Sequence, residues 1–196
     1  MKTFLFFSLF ALLFSQYSLV YHFPETCDRG IEENVEVYPN HVCQPTLSRH
    51  FYQKYDCNFS HTTYSMFKDA SCSQILRTDT YVNNDCHVFL LLLKKIGSKY
   101  LCGPEPSVGQ FGYVQTFYSS NSACLRNGIP LFKMLYHGGC VVNGQESTGR
   151  FINNNAIVHE QYTNTNCLGT PFRVQRFELN QCKEHLPPFT FKYHKQ

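Results

Sequence analysis

Tyr162–Leu179 reads YTNTNCLGTPFRVQRFEL. It opens on an aromatic residue, passes through a short Asn-rich run and reaches Cys167. Leu168-Gly169-Thr170-Pro171 then has the composition of a turn. Beyond it, Phe172, Val174 and Phe177 partly alternate with Arg173, Gln175 and Arg176, the pattern of a half-buried strand. Aromatic residues favour strands, and Asn, Asp and Ser favour the turns that end them. The stretch therefore reads as strand end, turn, cysteine, second turn and strand.

The same cadence occurs four more times. YHFPETC places Tyr21 six residues ahead of Cys27, and FYQKYDC places Tyr52 five ahead of Cys57. YVNNDC places Tyr81 five ahead of Cys86, and FYSSNSAC places Tyr118 six ahead of Cys124. The ten cysteines are Cys27, Cys43, Cys57, Cys72, Cys86, Cys102, Cys124, Cys140, Cys167 and Cys182. Taken in consecutive pairs, the steps inside pairs are 16, 15, 16, 16 and 15, and those between pairs are 14, 14, 22 and 27. Near-constant spacing marks a unit, and drifting spacing marks loops that tolerate insertion. A strand-like run precedes each second cysteine: VEVY, YSMF, VFLLLL, PLFKMLY and FRVQRFEL. The expected fold is all-β: disulfide-stapled antiparallel sheets, sandwich-like, built from about five two-stranded cysteine units. If the units are real, Tyr52, Tyr81, Tyr118 and Tyr162 share one kind of environment.

Glycine and proline punctuate the chain. GPEPSVGQFG (Gly103–Gly112) reads as a linker between units three and four, Asn143-Gly144 as a hairpin turn, and Asn153–Asn155 as a further loop. The linker divides 21–102 from 113–182, but each piece is small for an independent core. One disulfide-rich domain over 21–186, with a tail at 187–196, is the expectation. An even cysteine count with no C-x-x-C predicts five disulfides rather than a redox motif or zinc ribbon. Their connectivity stays open. A single extended strand would hold paired cysteines too far apart, so each unit folds back or the bridges run between units.

MKTFLFFSLFALLFSQYSLV (1–20) has the layout of a secretory signal peptide. Lys2 is the basic start, Phe4–Phe14 is apolar apart from Ser8, and cleavage is expected between Ser15 and Val20. No later run has the length of a membrane span: Val88–Leu93 is six residues, ended by Lys94 and Lys95. The product is expected to be secreted and extracellular. Asn58-Phe59-Ser60 is then an N-glycosylation sequon at Asn58.

The 196 residues carry 17 basic and 14 acidic side chains, and charged residues make up 16%. That is below the globular average of about 25%. A disordered chain needs more charge and fewer aromatics. A net charge of +3 gives no strong basic field for nucleic acid.

No motif carries catalysis. G-x-S-x-G and H-E-x-x-H are absent; His159-Glu160 is followed by Tyr162 and Thr163, not a second His. GQESTG (144–149) lacks the lysine of a phosphate loop. Nine histidines are scattered, with His41, His87 and His137 near cysteines, but export engages the thiols that zinc would need. No cofactor is expected. Glu32, Glu33 and Glu36 cluster, as a solvated face or the outer side of a terminal unit. The recurrent tyrosines point to packing in the core.

Unit five is similar to a βγ-crystallin hairpin, with Tyr162 and Gly169 at that family's aromatic and glycine positions and Cys167 in place of its phenylalanine. The other four units lack the glycine, and the family's calcium-binding signature is missing. Across Tyr21–Cys182 the chain resembles the small secreted proteins grouped with the counting-factor-associated family of social amoebae, in its signal peptide, size and aromatic–turn–Cys cadence. That resemblance implies an extracellular, non-enzymatic role in cell-density signalling and transfers no functional residue. The leading expectation is a secreted protein that binds an extracellular partner. The alternatives are a carbohydrate-binding or matrix module using exposed tyrosines, and a small hydrolase with an unrecognised site.

Overall fold

A computed structural model of the chain describes residues 17–23, 26–27, 34–48, 50–91, 94–106, 112–143, 145–153, 155–185 and 189–195. The first half of the chain holds β1 (Tyr17–Phe23), β2 (Asn34–Pro39), β3 (Gln44–Pro45), β4 (Tyr52–Cys57), β5 (His61–Phe67), β6 (Ile75–Val82), β7 (Cys86–Leu91) and β8 (Lys94–Gly103). The second holds β9 (Tyr113–Tyr118), the helix α1 (Asn121–Leu125), β10 (Phe132–Tyr136), β11 (Gly139–Asn143), β12 (Glu146–Asn153), β13 (Ala156–Tyr162), β14 (Arg173–Glu178), β15 (Cys182–His185) and β16 (Phe189–His194). The fold is all-β, and its described strand registers are antiparallel.

Residues 1–16 of the signal-like segment, Glu32 and Glu33 lie outside the described residues. Tyr17–Val20, expected to leave with the signal, form the start of β1, where Ser18, Leu19 and Val20 are buried.

By internal contacts the chain divides into two compact units. The described parts of the first are 17–20, 37–48, 50–85 and 99–106. Its frame is the four-stranded sheet β3-β4-β5-β6. Tyr38 stacks on Tyr55 with ring centroids 4.2 Å apart, and Tyr81 on Tyr100 at 3.9 Å. Two bridges tie it, Cys43–Cys72 and Cys57–Cys102.

The second unit holds the four-stranded sheet β11-β12-β13-β14 and has residues in every strand of the eight-stranded sheet β15-β16-β9-β10-β2-β1-β8-β7. β9 lies between β16 and β10, and all six of its residues are buried. Its polar members are paired: Gln115 accepts from the Tyr136 hydroxyl at 3.1 Å, and Thr116 lies 3.4 Å from His194 Nε2. Bonds of this kind are what make buried polar side chains tolerable. Phe117 stacks on Phe132 at 4.4 Å. The bridges here are Cys27–Cys86, Cys124–Cys182 and Cys140–Cys167.

All ten cysteines are thus bridged, with Cα–Cα distances from 5.6 to 6.0 Å. None of the five pairs lies inside one of the sequence units, so the open connectivity resolves as bridging between them. The tyrosines of the cadence also part company: Tyr52 opens β4, whereas Tyr118 and Tyr162 close β9 and β13.

A different order recurs instead. In the large sheet, the neighbours β7-β8-β1-β2 of the first half are matched by β15-β16-β9-β10 of the second. Each half carries its own meander, β3-β4-β5-β6 and β11-β12-β13-β14. Cys27–Cys86 spans 59 residues and Cys124–Cys182 spans 58; Cys43–Cys72 spans 29 and Cys140–Cys167 spans 27. Even local strain corresponds. Cys72 and Cys167 take φ of 51° and 52°, and Asn84 and Asn180 take 68° and 59°. The amides of Asn84 and Asn180 donate to the carbonyls of Tyr100 and Tyr193 at 3.0 and 2.7 Å.

Candidate functional site

The recurring meanders end on β6 and β14, the last strands of their sheets. The register makes their residues comparable. The row Gln53–Met66–Arg77 in the first meander corresponds to Thr148–Gln161–Arg173 in the second. Arg77 and Arg173 therefore hold the same place on the two outer strands, and both are exposed. Exposed apolar side chains occur on or near the same strands. Ile75, Leu76 and Val82 are 65%, 37% and 43% exposed along β6; Leu168, Phe172 and Val174 are 67%, 56% and 56% exposed along and just before β14. A large exposed side chain costs nothing when single, but a cluster on a sheet's outer strand offers both apolar contact and main-chain hydrogen bonds to another strand. Arg77 Nε binds Asp79 at 2.7 Å, which raises its pKa, and Arg176 Nε binds Glu178 at 3.1 Å.

Between the outer strands and the inner ones lie two contrasting rows. In the first half Tyr55–Tyr64–Asp79 stand side by side, and burial pushes the Tyr64 phenol up, opposed by Arg77. In the second half the same row is Arg150–His159–Gln175. His159 Nε2 shares a 2.6 Å hydrogen bond with the Tyr113 hydroxyl, and its ring meets Phe177 edge-on at 5.1 Å. Arg150 lies over the Tyr136 ring, 5.3 Å from its centroid. Burial, reinforced by Arg150, brings the His159 pKa down to about 4; burial also lifts Tyr193 to about 12. Both shifts favour the neutral forms of these half-buried and buried side chains. Tyr113 is 1% exposed and His159 is half-buried.

The remaining histidines are dispersed. His22 pairs with Glu36 at 3.3 Å, His41 with Asp56 at 2.6 Å, and His61 Nδ1 lies 2.7 Å from the Ser60 hydroxyl. Among the described residues no group of three His, Cys, Asp or Glu could hold a metal ion. Nor is any described helix long and apolar enough to cross a membrane.

The sequence-derived sites fall as follows. The ten cysteines form the frame, and five bridges fit an oxidising compartment. Asn58 is exposed at the turn between β4 and β5. None of the thirteen tyrosines is fully exposed; each is buried or half-buried. The paired outer strands escaped the sequence. The one signal for them was the recurrence of an aromatic five residues ahead of Cys72 (Phe67) as well as ahead of Cys167 (Tyr162). No protein-family model, curated protein or solved structure matches this chain.

Proposed function

We propose that the chain is a secreted, non-enzymatic protein that binds an extracellular protein partner along the outer strands β6 and β14. The observation that carries this reading is their equivalence: two outer strands at the same place in two recurring meanders, each with an exposed arginine at one register position and exposed apolar residues on or near the strand. Conjoined apolar and cationic features suit an extended partner segment with apolar and acidic side chains, added as a strand. Two such edges allow a bivalent partner to gain by effective concentration. Export agrees with five long-range bridges and the signal-like start, and cleavage ahead of Tyr17 keeps β1 whole. The partner class implied by the amoebal resemblance is a cell-surface or secreted signalling component.

The sugar-binding alternative calls for exposed tyrosines, and every tyrosine is buried or half-buried. The test is capture of partners from conditioned medium by the intact protein, its Val174→Lys form, its Leu76→Lys form and the double variant. Binding reduced by each single change and abolished by both supports the reading. Capture that ignores both changes, or turnover of ester or glycoside substrates by the wild type, overturns it.

A further inference from the structure

The turn between β4 and β5 carries a group that the partner-binding surface does not use. Asn58 sits there with its side-chain oxygen fully engaged. Oδ1 accepts from the Ser60 amide at 2.9 Å, the Ser60 hydroxyl at 3.2 Å and the His61 amide at 2.9 Å. Its own amide donates to the His61 carbonyl at 2.9 Å. From the neighbouring strand end, Asn83 Nδ2 donates to the carbonyls of Asn58 and Phe59 at 2.8 and 3.4 Å, and the Asn83 amide donates to the Ser60 carbonyl at 2.9 Å. The turn is therefore rigid, and every bond to the Asn58 side chain falls on its oxygen. Nδ2 makes no hydrogen bond among the described residues. Beside it Phe59 is 102% exposed, the most exposed large apolar side chain described. A single exposed phenylalanine costs nothing by itself, but its ring stands open beside Asn58, within reach of a substituent there.

We infer that Asn58 is N-glycosylated and that the first sugar of the glycan lies over Phe59. The reaction joins Asn58 Nδ2 to the anomeric carbon of a lipid-pyrophosphate-linked oligosaccharide. The carbon–oxygen bond to the pyrophosphate breaks and its electron pair leaves with the lipid pyrophosphate, while Nδ2 gives up one proton. Hydrogen bonding of Ser60 to Oδ1 fixes the amide and keeps Nδ2 directed away from the protein's own acceptors. The adjacent Cys57 is no obstacle. Its partner is Cys102, 45 residues later in the chain. At a synthesis rate of about 5–20 residues per second, Asn58 is translocated roughly 2–9 s before Cys102. Asn83, which locks the turn, follows it as well. The sequon thus passes the membrane as an open segment, and the later fold closes around a modified residue whose substituent points outward. Once in place, the apolar face of the first ring has Phe59 as its neighbour.

The inference rests on the export reading, so the experiment separates the two. The full chain is expressed in a eukaryotic secreting cell, and intact mass is measured on protein from the medium before and after peptide N-glycosidase. The expected result is one glycan, with enzymatic release leaving an aspartate at position 58 in the peptide map. Ser60→Ala abolishes the modification and Ser60→Thr retains it. Exported protein with unmodified Asn58 overturns the inference and leaves export standing. Chain kept inside the cell with reduced thiols overturns export and the inference with it. The peptide map of the wild type decides the matter even if a variant fails to fold. For the cover, an endoglycosidase that leaves one N-acetylglucosamine should not change retention on a hydrophobic-interaction column, whereas complete release should increase it. Phe59→Ala should remove that difference. Retention that is the same after complete release overturns the placement of the sugar over Phe59.

Discussion

Residues 17–103 and 113–194 share a strand order, two equivalent bridges and two matching left-handed residues, yet they fill the same frame differently. The first has a third bridge, Cys57–Cys102, where the row corresponding to Cys57–Thr62–Tyr81 in the second is Ile152–Ile157–Phe177. Ile157 is fully buried. One side closes that row with sulfur and the other with packed aliphatic and aromatic carbon. Two rows over, Tyr55 and Tyr64, their rings tilted at 51° with centroids 5.2 Å apart, stand where the other half has Arg150 and His159. Strand order and the two shared bridges define the frame, while the interior between them is free to change its chemistry. The two features that stay the same on the outside, Arg77 and Arg173, stand on β6 and β14.

The largest expected effect is covalent. All bridges lie within 17–103 or within 113–194, so none spans the linker. A protease site placed in 104–112 and cut should leave a chain that separates completely into two fragments in denaturant without reductant. A nicked chain that stays joined until reduced would mean a bridge crosses, and the two halves would not be covalently independent. The next largest effect is paired removal of the equivalent bridges by cysteine-to-alanine changes. Loops of 59 and 58 residues predict nearly equal losses, about 4 kcal/mol each in the chain-entropy model, read by denaturant unfolding. Losses that differ by more than about 2 kcal/mol would show that equal topology does not carry equal energy here.

Acid should separate the halves next. The unfolded His159 has an ordinary pKa of 6.5, and the folded one about 4. Between those values the unfolded chain holds a proton that the folded chain does not. Stability is therefore complete above pH 6.5 and falls as pH drops toward 4. The gap corresponds to on the order of 3 kcal/mol, before solvent screening reduces it. The corresponding residue in the first half is Tyr64, whose pKa moves up from 10.0 and does not titrate in this window. Asp69 acts in the same direction but lower. The Ser71 hydroxyl and the Gln74 and Ser73 amides hold its carboxyl well below the usual carboxylate range, so its contribution is lost only below the ordinary value of 3.8. His159→Tyr, which copies the first half, should flatten unfolding midpoints between pH 4 and 6.5. A slope unchanged by that substitution would assign the acid sensitivity elsewhere.

Much of this was legible in the residues, for physical reasons that also explain what was not. VEVY, YSMF, VFLLLL, PLFKMLY and FRVQRFEL fall on β2, β5, β7, β10 and β14, because apolar and aromatic runs of that length have few other homes. Leu92 and Leu93 of the third run lie outside the described residues. Asn143 ends β11 and Asn153 ends β12, with Gly144 and Asn154 outside the described residues, and the tyrosines are buried or half-buried without sharing one place in a repeated unit. The short helix α1 was hidden inside the aromatic–turn–Cys cadence; Ser120, read as a turn residue, accepts from the Ala123 amide as its cap. The bridges were hidden because partners are chosen by sheet neighbours, which spacing along the chain does not reveal. Pairing consecutive cysteines gives five beats. Setting Cys57 and Cys102 aside gives steps of 16, 29 and 14 against 16, 27 and 15, the order the fold follows. The outer strands were invisible because alternation shows that one face is buried, never which strand ends a sheet.

The smallest test bears on one place where the second meander has less side chain than the first. Lys54 and Ser65 pair in one, and Gly149 and Glu160 hold the equivalent places in the other. A Cβ at Gly149 would meet Tyr162 Cε2 at 3.5 Å, the Glu160 carbonyl at 3.8 Å and Cys167 Cβ at 3.9 Å, all ordinary contact distances. Nothing has to move, and glycine's extra freedom in the unfolded chain is removed. Gly149→Ala should therefore stabilise by about 0.5 kcal/mol, read as a rise in the denaturant midpoint at constant slope. Gly112→Ala is its opposite: the added carbon would stand 2.7 Å from Gly138 Cα and N, where only backbone could give way. If Gly149→Ala also destabilises, the Tyr162 ring needs the bare backbone beneath it, and the two meanders differ in packing depth as well as in side-chain chemistry.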